Sequence, residues 1–226
     1  MMDEKVPLVK GEIYHIFSRS IAEFEIFKSD SEYKRMRNLF KYYKLRPLLR
    51  FSAFNEVQNK KEFFQKHLVK KESLTEIIAY CIMPTHFHLI LKQLKEKGIS
   101  SVMNNILNSY TRYFNIKTKR KGPLWESRFQ RVLVETDEQL LHLTRYIHLN
   151  PVTAYLVNKP QDWKFSSYKE YLGKVNDEER ICNYSNILEI NPQRYKKFVD
   201  SHIDYQRELA KIKDLVLDEP TYTYAV

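Results

Sequence analysis

The segment that most restricts the fold is residues 74–94, where two apolar runs meet at Pro84 and Thr85. The runs "LTEIIAYCIMP" and "THFHLILKQL" have the length and composition of buried strands. A proline at their junction removes a backbone donor and favours a bend, so the two runs predict an antiparallel hairpin. A sheet is therefore expected at the centre of the fold.

Apolar periodicity elsewhere predicts two more strands and three helices. The strands are expected at residues 11–20 and 122–136. Apolar residues at helical spacing occur within residues 29–46, 98–120 and 136–150. The order β-α-(insertion)-β-β-α-β-α predicts the α+β class, with a ferredoxin-like antiparallel sheet and helices packed on one face.

The domain organisation follows from the same pattern. The chain has 226 residues with 43% hydrophobic content, which is enough for one ordinary core. We expect residues 1–173 to form one domain, with a polar, lysine-rich insertion at about 47–73. Residues 174–226 are expected to form a helical C-terminal extension, with a helix within residues 191–218 and a tail after it.

The charge indicates a polyanionic partner. Lys and Arg number 38 against 28 Asp and Glu, which gives a formal net charge of +10. A basic protein often binds nucleic acid, although many basic proteins do not. The 16 Tyr and 13 Phe add aromatic faces that could stack on unpaired bases, but most of them are expected in the core.

The sequence favours a cytoplasmic protein. No run approaches the roughly 18 apolar residues of a membrane helix, and the N-terminal segment lacks the apolar core of a signal peptide. Cys81 and Cys182 are isolated, which predicts reduced thiols and neither a disulfide framework nor a zinc site.

Two histidines lie one residue apart within the predicted strand that starts at Thr85. Side chains alternate along a strand, so His86 and His88 share one face while Phe87 points to the other. A single strand histidine usually bonds to the backbone, but a pair on one face favours a metal site. Two ligands are too few for a catalytic site, so a third has to come from elsewhere.

The helix predicted at residues 136–150 offers that third ligand. Thr136 is its expected N-cap, and Pro151 is its expected stop. His142, Tyr146 and Asn150 follow at i, i+4 and i+8 and share one stripe. Tyr146 could equally be a core tyrosine and Asn150 an ordinary C-terminal helix residue.

Three motifs carry a resemblance to a known family. "MPTHFHLIL", "GPLWESRF" and "RYIHLNPVTAYLV", in this order, resemble the single-tyrosine HUH transposases of the IS200-like type, most closely the REP-associated tyrosine transposases. The HUH motif corresponds to His86, Phe87 and His88, and the similarity extends from Tyr14 to Gly173. Thr85 replaces a common Asn, "SRS" replaces "NRG", and the insertion is longer than the family pattern predicts.

The resemblance implies a fold and an activity. It implies a ferredoxin-like sheet, a catalytic tyrosine at Tyr146, and a divalent metal, Mg²⁺ or Mn²⁺, held by His86, His88 and Asn150. Tyr146 would attack a scissile phosphate and form a 5′-phosphotyrosine, so that one site could cut and join strands. The implied substrate is single-stranded DNA near palindromic hairpins, bound by a monomer or a homodimer.

A basic segment after the second predicted helix is a candidate DNA contact. "KTKRKGPLW" combines four basic residues with a tryptophan, and two arginines follow it. The same charges could belong to a solvated helix end or an ordinary surface. The candidate nucleic-acid-binding residues are Lys117, Lys119, Arg120, Lys121, Trp125, Arg128 and Arg131.

Other interpretations of the same residues remain. A non-catalytic, RRM-like single-stranded nucleic-acid-binding module would use aromatic stacking and leave the histidines structural. A zinc hydrolase would need a general-base Glu beside the histidines, and none is present there. Tyr110 and Tyr113 are competing nucleophiles whose spacing fits packing or DNA contact better. His142 is a candidate base for Tyr146, although a solvated or packing role is favoured for it, as for His15 and His148.

Overall fold

Four antiparallel strands form one sheet in the computed structural model, which describes residues 6–67 and 72–216. The strand order is β2-β3-β1-β4, with every neighbouring pair antiparallel. This is the ferredoxin-like arrangement that the element order predicts, so the predicted fold class is confirmed. The strands are β1 (Ile13–Arg19), β2 (Thr75–Ile82), β3 (His86–Gln93) and β4 (Gln130–Val134).

Eight helices occur in the described ranges, and two of them cover one face of the sheet. Phe87 of β3 points to this face, with its ring 5.4 Å from Phe40 and 5.5 Å from Trp125. The two covering helices are the first and the fourth. The helices are α1 (Asp30–Tyr43), α2 (Phe51–Glu56), α3 (Lys60–His67), α4 (Gly98–Lys117), α5 (Asp137–Thr153), α6 (Tyr168–Tyr171), α7 (Pro192–Asp200) and α8 (Ile203–Val216).

Helix α5 packs over the other face of the sheet. His88 points away from Phe87, and its ring lies 6.0 Å from the ring of Tyr146 on α5. The prediction placed the helices on one face of the sheet. Apolar periodicity shows that a helix has an apolar stripe, but it does not show which side of a sheet that stripe covers. The sheet is therefore sandwiched between α1 and α4 on one side and α5 on the other.

Three predicted elements differ in their bounds from the structure. Pro151 was expected to stop the helix, but α5 continues to Thr153. Proline removes one hydrogen bond, and the burial of Pro151 and Val152 outweighs that loss in the last turn. The last strand spans only Gln130–Val134, and the single helix expected within 191–218 is two helices separated at residues 201–202. Residues 217–218 and the predicted tail lie outside the described residues.

The predicted insertion contains two short helices, α2 and α3, and α2 packs against α1. The rings of Phe51 and Phe54 on α2 lie 5.2 and 4.8 Å from the ring of Tyr42. The Tyr43 hydroxyl accepts a hydrogen bond of 3.1 Å from the backbone N–H of Phe51. These contacts anchor the start of the insertion to α1.

Helix α7, which lies in the predicted C-terminal extension, is joined to α5 by a buried polar network. Tyr195 of α7 is 3% exposed, and its hydroxyl lies 2.7 Å from His148 Nδ1 and 2.9 Å from Thr144 Oγ1. The other ring nitrogen of His148 lies 2.7 Å from Ser167 Oγ. His148 thus has the packing role that the sequence favoured, and α7 is tied to the helix that carries Tyr146.

We expect Tyr195→Phe to lower the free energy of unfolding by about 1–3 kcal/mol, because it leaves buried groups of His148 and Thr144 without a partner. Urea unfolding at neutral pH measures the change. Tyr205→Phe is the matched control, since Tyr205 is 57% exposed on the neighbouring helix. Equal free energies of unfolding for the two variants would show that the network does not stabilise the packing of α7 on α5.

Candidate active site

His86 and His88 lie side by side at the start of β3, on the face covered by α5. His86 is partly exposed, whereas His88 is 7% exposed. Their ring centroids are 5.1 Å apart with the rings nearly perpendicular. The shared face predicted from strand alternation is therefore present.

Each of these histidines forms its hydrogen bond through Nδ1. His86 Nδ1 lies 3.0 Å from Thr85 Oγ1, and His88 Nδ1 lies 2.9 Å from His15 Nε2. Among the hydrogen bonds within residues 6–67 and 72–216, none involves the Nε2 atom of His86 or His88. Within these ranges, both Nε2 atoms are therefore available to bind a metal ion or another hydrogen-bond partner.

The protein environment keeps both imidazoles neutral. Burial, helped by the charge of Arg19, lowers the pKa of His86 to about 4. Burial lowers the pKa of His88 well below its usual range, and the neighbouring His86, His15 and Arg19 add to the effect. A neutral imidazole is the form that binds a metal ion.

Tyr146 faces this histidine pair from α5. Its ring meets His88 edge-on with 6.0 Å between centroids, and it is partly exposed. Burial raises the pKa of Tyr146, while a hydrogen bond with the Asn150 side chain and the charge of Arg19 act in the opposite direction. Asn150 Nδ2 also donates a hydrogen bond of 3.5 Å to the Tyr146 carbonyl, so the helical spacing brings Asn150 into contact with Tyr146.

Arg19 is a site residue that the sequence did not single out. It is the last residue of β1 and the register partner of His86, and its side chain is 34% exposed. Its ion pair with Glu23, at 3.3 Å, is exposed and therefore weak. The available signal was its place in "SRS", but only the strand register brings it next to the histidines.

His15, for which the sequence favoured a solvated or packing role, is a second residue whose place beside the histidine pair was not predicted. It is buried on β1, stacks on His88 with 5.1 Å between ring centroids, and has its pKa lowered to about 3 by burial. Alternation indicates which face of its own strand it occupies, but not that the partner strand places His88 beside it.

The candidate DNA contacts occupy several environments. Trp125 is 9% exposed and donates a hydrogen bond to the Leu107 carbonyl, which favours packing over the base contact predicted for it. Lys117 pairs with Glu32 at 2.7 Å, and Arg120 donates to the Pro123 carbonyl. Exposed or partly exposed positions are occupied by Lys119, Lys121, Arg128 and Arg131.

The competing candidates lie away from the histidine pair. Tyr110 is fully buried and donates a 2.7 Å hydrogen bond to the Ile26 carbonyl, which is a packing role. His142 is exposed, beside Arg145 and Phe198. Its place on the outer side of α5 favours the surface role.

Within the described ranges, no three His, Cys, Asp or Glu side chains form a group that could hold a metal ion. A metal at the histidine pair would therefore need the amide oxygen of Asn150, water or substrate oxygens as further ligands. The same ranges contain no helix that is long and apolar enough to cross a bilayer.

The buried histidine of the α5 network makes stability depend on pH. Burial lowers the pKa of His148 to about 3 in the folded state, against 6.5 when unfolded. The unfolded state therefore binds more protons between these values, and stability falls as pH drops below 6.5. We expect a slope of about 1.4 kcal/mol per pH unit from this residue. Urea unfolding from pH 7 to 4 should show a shallower slope for His148→Gln than for the exposed control His142→Gln; equal slopes would contradict the assignment.

Comparison with known proteins shows that part of the chain is similar to one family. Residues 45–150 match the family described as "Transposase IS200 like". This region contains the hairpin, β4 and nearly all of α5, and thus His86, His88, Tyr146 and Asn150.

The resemblance to REP-associated tyrosine transposases is confirmed by two curated relatives. The putative REP-associated tyrosine transposase of Haemophilus influenzae is 31% identical over 104 residues, 41% of this chain and 58% of that protein. The REP-associated tyrosine transposase of Escherichia coli K12 is 28% identical over 101 residues, 44% of this chain and 58% of that protein. The chain thus spans 58% of the length of each of these curated relatives.

A solved structure supports the fold. The structure described as a REP-associated tyrosine transposase bound to a REP hairpin has a TM-score of 0.51 and 16% identity. The similarity covers 84% of this chain and 99% of that chain. The arrangement of sheet and helices is therefore shared, including most of the region outside the family match.

Proposed function

We propose that the protein is a metal-dependent endonuclease and strand transferase for single-stranded DNA, acting near palindromic hairpins through a 5′-phosphotyrosine. The observation that carries the proposal is the position of Tyr146, whose ring lies 6.0 Å from His88 of the paired histidines. A structural histidine pair would not need a partly exposed tyrosine with an amide neighbour at the same place.

The residues fit a divalent metal. His86 and His88 would hold it through their Nε2 atoms, and Asn150 would supply its amide oxygen. Neutral imidazoles and an amide oxygen suit Mg²⁺ or Mn²⁺, with Mn²⁺ more tolerant of nitrogen ligands. When bound, the metal would polarise the scissile phosphate and offset its developing charge.

His15 supports this ligand set as a positioning residue. Its Nε2 atom, 2.9 Å from His88 Nδ1, would fix the tautomer in which His88 presents Nε2 to the metal. Because His15 is buried, it holds the ring orientation without entering the reaction.

Tyr146 performs the covalent step. Its Oη atom forms a bond to phosphorus while the bond from phosphorus to the 3′ oxygen breaks. The phenol loses its proton, and the departing 3′ oxygen gains one to become a hydroxyl. Arg19 supplies positive charge near the phosphate, and its charge also favours the ionised phenol. Attack by a second 3′-hydroxyl reverses the step and joins strands.

The partner is assigned from charge and similarity. A net charge of +10 suits DNA. The structural relative is described as bound to a REP hairpin, and we extend a hairpin substrate to this chain. The protein would work as a monomer or a homodimer.

Incubation of the protein with end-labelled hairpins bearing random single-stranded flanks and Mn²⁺ tests the proposal. We expect a denaturant-resistant protein–DNA adduct and a fragment ending in a 3′-hydroxyl, both abolished by chelator. Tyr205→Phe, which alters an exposed tyrosine on α8, is a control that should retain both products. Tight hairpin binding that is insensitive to chelator and gives no adduct would instead identify an RRM-like binding module.

A further inference from the structure

A basic groove lies on the outer side of α1 and α4, across the sheet from the histidine pair. It has a volume of about 690 Å³ and opens between α1, the start of α2 and the outer face of α4. We call it the α1/α4 groove. Its principal lining residues are Arg35, Tyr43, Arg50, Asn105, Arg112 and Lys117.

The charge of the α1/α4 groove is uniformly positive. Four of its lining residues are Arg or Lys, and none is acidic. Glu32 pairs with Lys117, but in the part of the chain that the structure describes, Arg35, Arg50 and Arg112 form no ion pair. Three cations facing one cavity repel each other, so an anion in the groove would be stabilising.

Arg35 is held at the inner wall of the groove. Its guanidinium lies over the rings of Phe51 and Tyr113, at 4.5 and 5.0 Å. Its Nε atom is buried without a hydrogen-bond partner among the described residues. The desolvation of this charge is therefore only partly offset inside the protein, and a nearby anion would complete the compensation.

The outer stripe of α4 suits a nucleic-acid strand more than a small anion. Asn105, Ser109 and Arg112 repeat at helical spacing along the groove and supply neutral and charged donors. Ile116 continues the stripe and is 74% exposed, next to the partly exposed ring of Tyr113. A line of hydrogen-bond donors that can contact phosphates, next to an apolar surface, is typical of grooves that bind single-stranded nucleic acid.

We propose that the α1/α4 groove binds the sugar-phosphate backbone of the substrate DNA, away from the scissile phosphate. The groove and the histidine pair lie on opposite sides of the sheet, so one DNA molecule would have to pass around the protein to occupy both. Arg50 and Phe51 come from the insertion, which would thereby build one wall of a DNA-binding surface. The inference rests on the proposed function for the identity of the polyanion as DNA.

The test is the salt dependence of DNA binding by Arg50→Gln/Arg112→Gln. Both side chains are exposed, so the substitutions should not disturb the fold. An unchanged thermal unfolding temperature of the variant would verify this. The probe is a fluorescent hairpin with single-stranded flanks, in chelator, at several salt concentrations. We expect affinity near 0.1 M salt to fall about 10–100-fold and the slope of log K against log salt to shrink by about 1.4–1.8, the effect of two lost phosphate contacts.

Arg194→Gln/Lys197→Gln on α7 is the matched control, because it removes the same charge from exposed positions elsewhere. It should lower the affinity for DNA less than about threefold, because it only reduces the overall positive charge of the protein. An unchanged slope for the groove variant, equal losses in the two variants, or no DNA affinity in the wild type would overturn the inference.

The adduct assay separates this inference from the proposed function. Adduct formation by the wild type, with a groove variant that binds normally, would reject the groove and leave the function standing. A groove-dependent salt slope, with no adduct under Mn²⁺, would reject the nuclease and leave the groove standing.

Discussion

Tyr146→Phe should abolish both strand cleavage and the protein–DNA adduct, by at least about 10⁴-fold in rate, because no other group at the site replaces the phenol oxygen. Only one oxygen is removed, and the ring that packs against His88 stays in place. The fold and the affinity for hairpin DNA should therefore be unchanged. Gel analysis under denaturing conditions measures the adduct, and binding in chelator measures the affinity.

Tyr110→Phe and Tyr113→Phe separate the nucleophile from the neighbouring tyrosines. Tyr110 donates to a buried carbonyl, so its loss should reduce stability and leave the adduct. Tyr113 lines the α1/α4 groove, so its loss would affect binding before chemistry. Adduct formation that survives Tyr146→Phe and disappears in either of these variants would place the nucleophile on α4.

His88→Ala should lower the cleavage rate by about 10³-fold and weaken Mn²⁺ binding, because the loss of a ligand removes several kcal/mol of charge stabilisation. His15→Ala should have a smaller effect, about 10–100-fold in Mn²⁺ affinity, as expected for a residue that orients a ligand. Mn²⁺ electron paramagnetic resonance measures binding without reference to activity.

The control for both histidine variants is His142→Ala, which alters an exposed histidine on the outer side of α5. It should match the wild type in Mn²⁺ binding and in cleavage. A loss in His15→Ala as large as that in His88→Ala, without unfolding, would make His15 a ligand. Unchanged Mn²⁺ binding in His88→Ala would contradict the metal assignment altogether.

The hairpin and the helix of Tyr146 could be predicted because their signals are local. A proline between two apolar runs marks the turn, and Thr136 caps α5 by accepting from the Gln139 N–H. Strand alternation correctly places His86 and His88 on one face. Each of these properties depends on residues that are close in sequence.

The neighbours of the histidine pair that the sequence did not predict depend on register between distant strands. His15 bonds to His88 across 73 positions, and Arg19 lies opposite His86 only because β1 pairs with β3 in one register. No local pattern fixes that register. The burial of Trp125 against Phe87 and the side of the sheet that α5 covers likewise result from tertiary packing.

The most direct test of the central claim is the mass of the peptide that carries the adduct. The wild type is trapped on DNA in Mn²⁺, the DNA is digested to a single nucleotide, and the protein is cleaved for mass spectrometry. We expect the nucleotide mass on the peptide that contains Tyr146, with fragment ions assigning it to that tyrosine through a 5′-phosphate. A nucleotide on any other residue, or cleavage with no modified peptide, would contradict the proposed mechanism.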